Sequence, residues 1–283
     1  MSAVGRRRGS STTLNVVGVL VFLWCVFPVY WMVNTSLLPN NMVRGSVPHF
    51  FPSAATTKNY DTVLAGDGRA KFLPALSNSL MVTVATVVIA LVFAFIAALA
   101  VTRFRFRGRR SFIFTILLVQ MIPAEAMIVS TYQILDGWHL LNSIVGLTLV
   151  YVATVLPFTI WMLRGFVHGV PVELEEAAMI DGCSRAGAFW RVTLPLMAPG
   201  LVATGVFGFI QAWNEFLLAL VVNSRPDKMT LPVWLRTFQQ ATRATDWAAI
   251  MAGSTLMTIP VIVFFLFVQG RITKGLVAGA VKG

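Results

Sequence analysis

Residues 76–101 read LSNSLMVTVATVVIALVFAFIAALAV, without one Lys, Arg, Asp or Glu. A membrane-crossing helix needs about 20 apolar residues, so this block is long enough to span a hydrocarbon core at a tilt. Backbone groups in lipid find no water, so a block of this length must satisfy its hydrogen bonds within itself. A barrel would instead show roughly ten-residue alternating strands. Five more blocks of similar character lie at 14–36, 111–134, 143–163, 197–222 and 248–270. Over its 283 residues the chain is 57% hydrophobic and 12% charged, against about 25% charge in soluble domains. The expected fold is therefore an all-α integral membrane protein with six transmembrane helices, which argues against a water-soluble enzyme.

The 22 Lys+Arg against 11 Asp+Glu give a net charge of +11, which in a membrane protein marks the cytoplasmic face more often than a nucleic-acid partner. With the N-terminus inside, the inner segments hold fourteen basic residues: Arg6, Arg7, Arg8, Arg103, Arg105, Arg107, Arg109, Arg110, Arg164, Arg185, Arg191, Arg271, Lys274 and Lys282. The longer outer loops hold eight: Arg44, Lys58, Arg69, Lys71, Arg225, Lys228, Arg236 and Arg243. Both termini are thus expected in the cytoplasm. This places residues 1–13 in an N-terminal tail, 14–270 in the membrane domain and 271–283 in a C-terminal tail, with a cytoplasmic loop 164–196 between the fourth and fifth spans. The first span follows Arg6–Arg8 but is too long for a signal peptide and ends at Asn34 without a small-x-small cleavage site, so it reads as a retained anchor. The basic turn from Arg103 to Arg110, interleaved with Phe104 and Phe106, reads as topology charge on anionic headgroups rather than a nucleic-acid patch. Cys25 and Cys183 imply neither a disulfide nor a metal site, and His49, His139 and His168 are too scattered for zinc.

The 164–196 loop contains PVELEEAAMIDGCSRAGAFWRVTLP from Pro171 to Pro195. Pro171 suits a first helical position, and Glu173, Glu175 and Glu176 favour the opening turn against the helix dipole. Asp181-Gly182 then breaks the helix. Ser184 is an N-cap candidate for a second helix through Arg191, expected to end before Leu194-Pro195 because proline disfavours a helical predecessor. Val172, Leu174, Ala177, Ala178 and Ile180 supply more apolar surface than a solvated loop needs. On the residues alone this surface docks either a protein partner or the lipid interface.

Glu176-Ala177-Ala178, then Gly182 after a three-residue gap, then Val192-x-Leu194-Pro195 after nine more residues resembles the EAA motif of ATP-binding cassette (ABC) importer permeases, with Val192 where isoleucine is usual. Met121-Ile-Pro123, residues 212–219 (AWNEFLLA), Thr230-Leu-Pro232 and the terminal GLVAGAVKG are similar to the carbohydrate-importer branch, to which the smaller membrane subunit of the maltose transporter belongs. The resemblance covers essentially the whole chain. It implies that the 164–196 loop is a coupling helix seated in a cleft of a cytoplasmic ATPase, with Glu176, Ala177, Ala178, Asp181 and Gly182 docking and Gly279, Lys282 and Gly283 adding contacts from the tail. It further implies a bacterial plasma-membrane importer of a di- or oligosaccharide. The chain would be a transport subunit rather than an enzyme. Its implied partners are a second homologous permease, two ATPase subunits, an extracytoplasmic sugar-binding protein and membrane lipid, without nucleic acid. No cofactor is expected in the chain itself, ATP and Mg being bound by the partner ATPase. Amino-sugar and glycerophosphodiester importers share these motifs.

Glu125 and Glu215 fall inside spans, where ionisable groups are costly and face a cavity or a partner. Gly208, Gln211 and Glu215 recur at i, i+3 and i+7, a single helical stripe with Asn214 beside it. Amides and carboxylates bond sugar hydroxyls, and Trp213 offers a face for a pyranose ring. These same groups equally hold helix bundles together. Asn78, Ser79, Gln120 and Tyr132 complete the pathway candidates, while Trp24, Trp31 and Trp138 suit an interfacial belt. The segment 270–275 has the wrong order for a phosphate-binding P-loop. An intramembrane protease would need a histidine within a span, and none of the three lies in one. An ion-coupled secondary transporter centred on Glu125 and Glu215 remains the alternative, although it leaves the 164–196 loop without a role.

Overall fold

The computed structural model describes residues 9–65, 70–239 and 245–280, with side chains for 13–65, 70–239 and 245–270. In chain order its helices are α1 (Gly9–Ser36), α2 (Asn40–Val43), α3 (Lys58–Ala65), α4 (Phe72–Arg103), α5 (Arg109–Gln120), a 3₁₀ turn (Ala124–Met127), α6 (Ile128–Gly137) and α7 (Ile144–His168). They continue as α8 (Glu173–Ile180), α9 (Arg185–Ala188), a π turn (Phe189–Thr193), α10 (Leu194–Asn214), α11 (Leu217–Val222), α12 (Leu231–Arg236) and α13 (Trp247–Ala280). Among the described residues five helices are long and apolar enough to cross a membrane, or six if the bent pair Arg109–Gln120 and Ala124–Gly137 counts as one span. The chain is a multi-pass membrane protein.

Its contacts divide into two units, Met1–Gly68 with Leu235–Thr258 and Arg69–Trp234 with Ile259–Gly283. In the first, the segment after α1 folds back onto the helix end through polar side chains. Asn34 Nδ2 donates to His49 O at 2.7 Å, Tyr30 donates to the Phe50 carbonyl, and Asn59 Nδ2 donates to Ser36 O at 2.7 Å and Leu38 O at 2.8 Å. Asn34, Thr35 and Ser36 are buried there, whereas the apolar flanks of α1 from Leu14 to Val33 stay open. That is the pattern of a helix solvated by lipid rather than by water.

In the second unit α4 is central, packing on both α7 and α10, while α5 packs on α7. Ala90, Ala94 and Ala98 on α4 are buried at 0–1% exposure, and small residues at such positions let membrane helices approach closely. One buried cluster joins Ala94, Phe95 and Ala98 of α4 to Ile160, Leu163 and Val167 of α7 and Met197 of α10. Another gathers Val82, Leu147, Tyr151, Ala212 and Leu218.

Three expected boundaries are corrected. The block 111–134 is not one straight helix: α5 stops at Gln120 and the chain turns by 88° before Ala124, because Pro123 has no N–H to continue the ladder. The block 197–222 is interrupted too, since α10 ends at Asn214 and Glu215 is extended with ψ 130°. The second helix of the 164–196 loop does not end before Pro195. Residues 185–214 form one membrane-length helix, in which the π turn Phe189–Thr193 leads into Leu194 at φ −62° and ψ −45°. Pro195, in the first turn of α10, is accommodated where the widened turn has already displaced the usual bonding partner.

At the start of α7, Ser143 Oγ accepts from Gly146 N at 2.9 Å and donates to Leu140 O at 2.7 Å. A Cβ on Gly146 would stand 2.2 Å from that same Leu140 carbonyl oxygen, so the cap requires glycine. Gly146→Ala is expected to lower stability by about 1–3 kcal/mol, read as a reduced thermal midpoint in detergent. Gly165→Ala, on the same helix with nothing within 4 Å of its Cβ position, is expected to leave the midpoint unchanged or slightly raised.

Candidate functional site

The 164–196 loop folds as a short helical platform. α8 begins at Glu173 after Val172, so Pro171 lies two residues ahead of the helix instead of at its first position. Glu173, Glu175 and Glu176 occupy the first turn, where carboxylates oppose the positive end of the dipole. The helix closes on Gly182, whose φ is +90°. Gly182 N donates to Met179 O at 3.1 Å and Cys183 N to Ala178 O at 3.0 Å, the paired bonds of a Schellman ending that a left-handed glycine permits. Ser184 caps α9 as expected, its Oγ accepting from Gly187 N at 3.1 Å.

Of the expected docking residues, Glu176, Ala177, Asp181 and Gly182 are exposed and Ala178 is half-buried. Beside them lie uncovered Leu174, Met179 and Ile180, the last 86% exposed. Trp190, in the π turn, is also open. Lys282 and Gly283 lie outside the described residues, as do the side chains of 271–280, which include the position of Gly279. Charge counting missed one feature: Arg103, assigned to topology, bridges to Glu175 at 2.9 Å.

The second site borders the break in the third span. A cavity of about 600 Å³ is lined by Gln120, Pro123, Thr131, Trp138, Thr154 and Gln211 among others. A smaller one of about 230 Å³ shares Ala124, Thr154, Gln211 and Leu218 with it and adds Glu125, Tyr151 and Glu215. The structure thus brings together Gln120, Glu125, Gln211 and Glu215 from α5, the 3₁₀ turn, α10 and the α10–α11 break. Glu125 stands exposed in that turn rather than inside a continuous helix.

Other expected pathway residues have different surroundings. Trp213 is only 1% exposed and stacks on Phe209 with the rings 5.5 Å apart and 11° from parallel, so it offers a sugar no free face. Asn78 is buried and donates to Asp227 O and Met229 O, both at 3.0 Å. Ser79 Oγ accepts from Leu231 N at 2.7 Å. Both side chains therefore anchor the connection before α12. Asn214 lines neither cavity and bonds to Ile210 O at 2.9 Å. The Gly208–Gln211–Glu215 stripe dissolves because the helix ends before Glu215, while Gly208 packs on Val155 and Val87. The Glu215 carboxylate accepts from Leu218 N at 2.7 Å and Ala219 N at 3.0 Å, capping α11, and its carbonyl accepts from Tyr151 at 3.4 Å. Thr131 and Thr154 were not anticipated as lining residues. The proline in Met121-Ile-Pro123 was the available signal that this region would open.

Residues 90–277 match the protein family described as binding-protein-dependent transport system inner membrane component. The chain is 48% identical over 269 residues to the diacetylchitobiose uptake system permease protein DasC of Streptomyces coelicolor, covering 95% of this chain and 96% of that one. It is 37% identical over 281 residues to the trehalose transport system permease protein SugB of Mycobacterium tuberculosis, covering 99% and 100%. The fold matches a chain of a bacterial ABC transporter involved in import of the acidic polysaccharide alginate, with a TM-score of 0.76 and 23% identity over 95% of this chain and 99% of that chain. Five or six apolar spans among the described residues, an exposed helical platform with the EAA spacing and full-length likeness to transport permeases lead to one conclusion: the chain belongs to the family of inner membrane components of binding-protein-dependent transport systems.

Proposed function

We propose that the chain is one of two permeases of an ATP-driven importer for a di- or oligosaccharide in a bacterial plasma membrane. The observation that carries this reading is the platform: α8 presents Ile180 and Leu174 beside Glu176 and Asp181 and is closed by Gly182 in a left-handed conformation. In this reading the platform faces the cytoplasm and sits in a cleft of an ATPase subunit, which binds ATP and Mg. Lys282 and Gly283 would add contacts from the tail, with Gly279. Burial of Ile180 and Leu174 supplies the apolar part of the docking energy, and the acidic rim sets its orientation. An extracytoplasmic binding protein delivers the sugar to the paired permeases, and closure of the ATPases turns the bundle from inward-open to outward-open as a rigid-body switch between two states.

The cargo class follows from the named sugars of the relatives, diacetylchitobiose and trehalose, together with the cavity chemistry. Gln120, Gln211, Thr131 and Thr154 combine donors and acceptors along a wall that is otherwise apolar, as polyhydroxy ligands require. Trp138, 64% exposed at the cavity edge, replaces Trp213 as the aromatic face. Glu215, whose carboxylate is committed to two backbone N–H groups, shapes the wall, which counts against its serving as the coupling site of an ion-driven transporter.

Proline is locked near φ −65°, so Gly182→Pro cannot adopt the observed turn. It is expected to abolish uptake and co-purification of the ATPase while the chain remains in the membrane fraction; unchanged uptake would contradict the docking assignment. Gln211→Leu should reduce uptake about tenfold by leaving a sugar hydroxyl unpaired, measured with labelled diacetylchitobiose and trehalose in membrane vesicles. Glu215→Gln should instead lower the detergent thermal midpoint, because it weakens the α11 cap, without changing the preference between the two sugars.

A further inference from the structure

Arg103 is the last residue of α4 and Glu175 lies in the first turn of α8, elements separated in sequence by α5, the 3₁₀ turn, α6 and the whole of α7. Arg103 Nη2 stands 2.9 Å from Glu175 Oε1 and donates to Val170 O at 2.9 Å. The two side chains are 12% and 22% exposed, and Glu175 Oε1 itself is shut off from solvent and makes no well-aligned hydrogen bond among the described residues. Exposed ion pairs contribute little, but a shielded carboxylate oxygen whose polar neighbour is one guanidinium loses heavily when that neighbour leaves. Immediately inside the pair, Ala94, Phe95 and Ala98 of α4 are buried with Leu163 and Val167 of α7, Val170 and Met197. The platform end of α4 is therefore gripped at three points: the carboxylate, the Val170 carbonyl and this apolar cluster.

We propose that the Arg103–Glu175 pair is a strut that makes α4 move with the platform, with Arg103 and Glu175 as positioning residues for transport. The chain joins the platform directly only to α7 through residues 169–172 and to α10 through α9 and the π turn. α4 carries no such link, yet it packs on both α7 and α10. The ion pair adds a charged tie to the apolar contact that Phe95 of α4 makes with Phe189 of the π turn, rings 5.8 Å apart. When the platform is displaced, separation from Arg103 would strand both charges, so the helix that contacts the other two is pulled along. The π turn in the α9–α10 connection makes this link the more important, since such turns are common places for a helix to yield. This inference rests on the platform docking an ATPase, as proposed above.

The test uses the complex purified from its native host through tagged chain and reconstituted in liposomes with its binding protein. Uptake of labelled N,N′-diacetylchitobiose and ATP hydrolysis are recorded together for wild type, Arg103→Gln, Glu175→Gln and Arg103→Lys. A structural contribution alone would lower both activities in parallel, whereas a strut changes their ratio. The two Gln variants are expected to hydrolyse ATP while moving at least about threefold less sugar per ATP, and Arg103→Lys to restore most of the ratio. Glu175→Gln is nearly isosteric and gives the same readout should Arg103→Gln assemble poorly. An unchanged ratio, parallel falls in both Gln variants, or loss of the complex in both would overturn the strut. Wild-type complex lacking an ATPase, or taking up neither this sugar nor trehalose, would instead overturn the importer reading, and the strut with it.

Discussion

A peptide group in hydrocarbon has no water to bond, so each interruption of a membrane helix must find another partner or open onto a polar space. The second unit contains two such interruptions, one at Met121–Pro123 and one at Glu215–Phe216. Both border the same cavity: Ala124 and Glu125 come from one break, Glu215, Leu217 and Leu218 from the other. The second break is mended by the Glu215 carboxylate, which takes the first-turn N–H groups of Leu218 and Ala219 in α11. This arrangement allows irregular backbone where a ligand path would run, while α4, α7 and α10 stay regular and tightly packed around it.

The other end of the unit answers a different demand. For the proposed docking of an ATPase to drive transport, the platform must be stiff toward the helices it would move. α8 is closed by the Gly182 ending, α9 by the Ser184 cap, and the chain then runs from Arg185 to Asn214 without a full break. Val170, Met197 and the α4 alanines fill the space beneath, and Arg103 ties the platform to α4. The platform and the cavity wall thus share α10, with Gln211 near the far end of the helix that begins in the loop.

Much of this was legible in the sequence. Hydropathy alone located the blocks, and the first, second and fourth spans (α1, α4 and α7) end at Ser36, Arg103 and His168, at or up to about five residues past the expected limits. The platform helices followed from acidic first-turn residues, Gly182 and Ser184. The breaks were less legible because long apolar runs extend to either side of Pro123 and of the Asn214-Glu215 pair, so an averaged pattern runs straight through them. Trp213 and Asn78 were misread because composition does not tell which face of a helix a side chain occupies; packing on Phe209 and bonding to Asp227 and Met229 decide that. Arg103 was hidden for another reason. Counting charges by loop treats a residue as topology, and the partner that gives it a second role lies far along the chain at Glu175.

The central claim is that this chain moves sugar by borrowing the energy of a separate ATPase through the platform. The most direct measurement is purification of tagged chain from its native host in mild detergent, with identification of bound proteins and assay of ATP hydrolysis with and without sugar-loaded binding protein. The account predicts recovery of an ATPase and a second permease, with hydrolysis stimulated by the loaded binding protein. Recovery of this chain alone, with sugar transport in liposomes free of ATP, would contradict it.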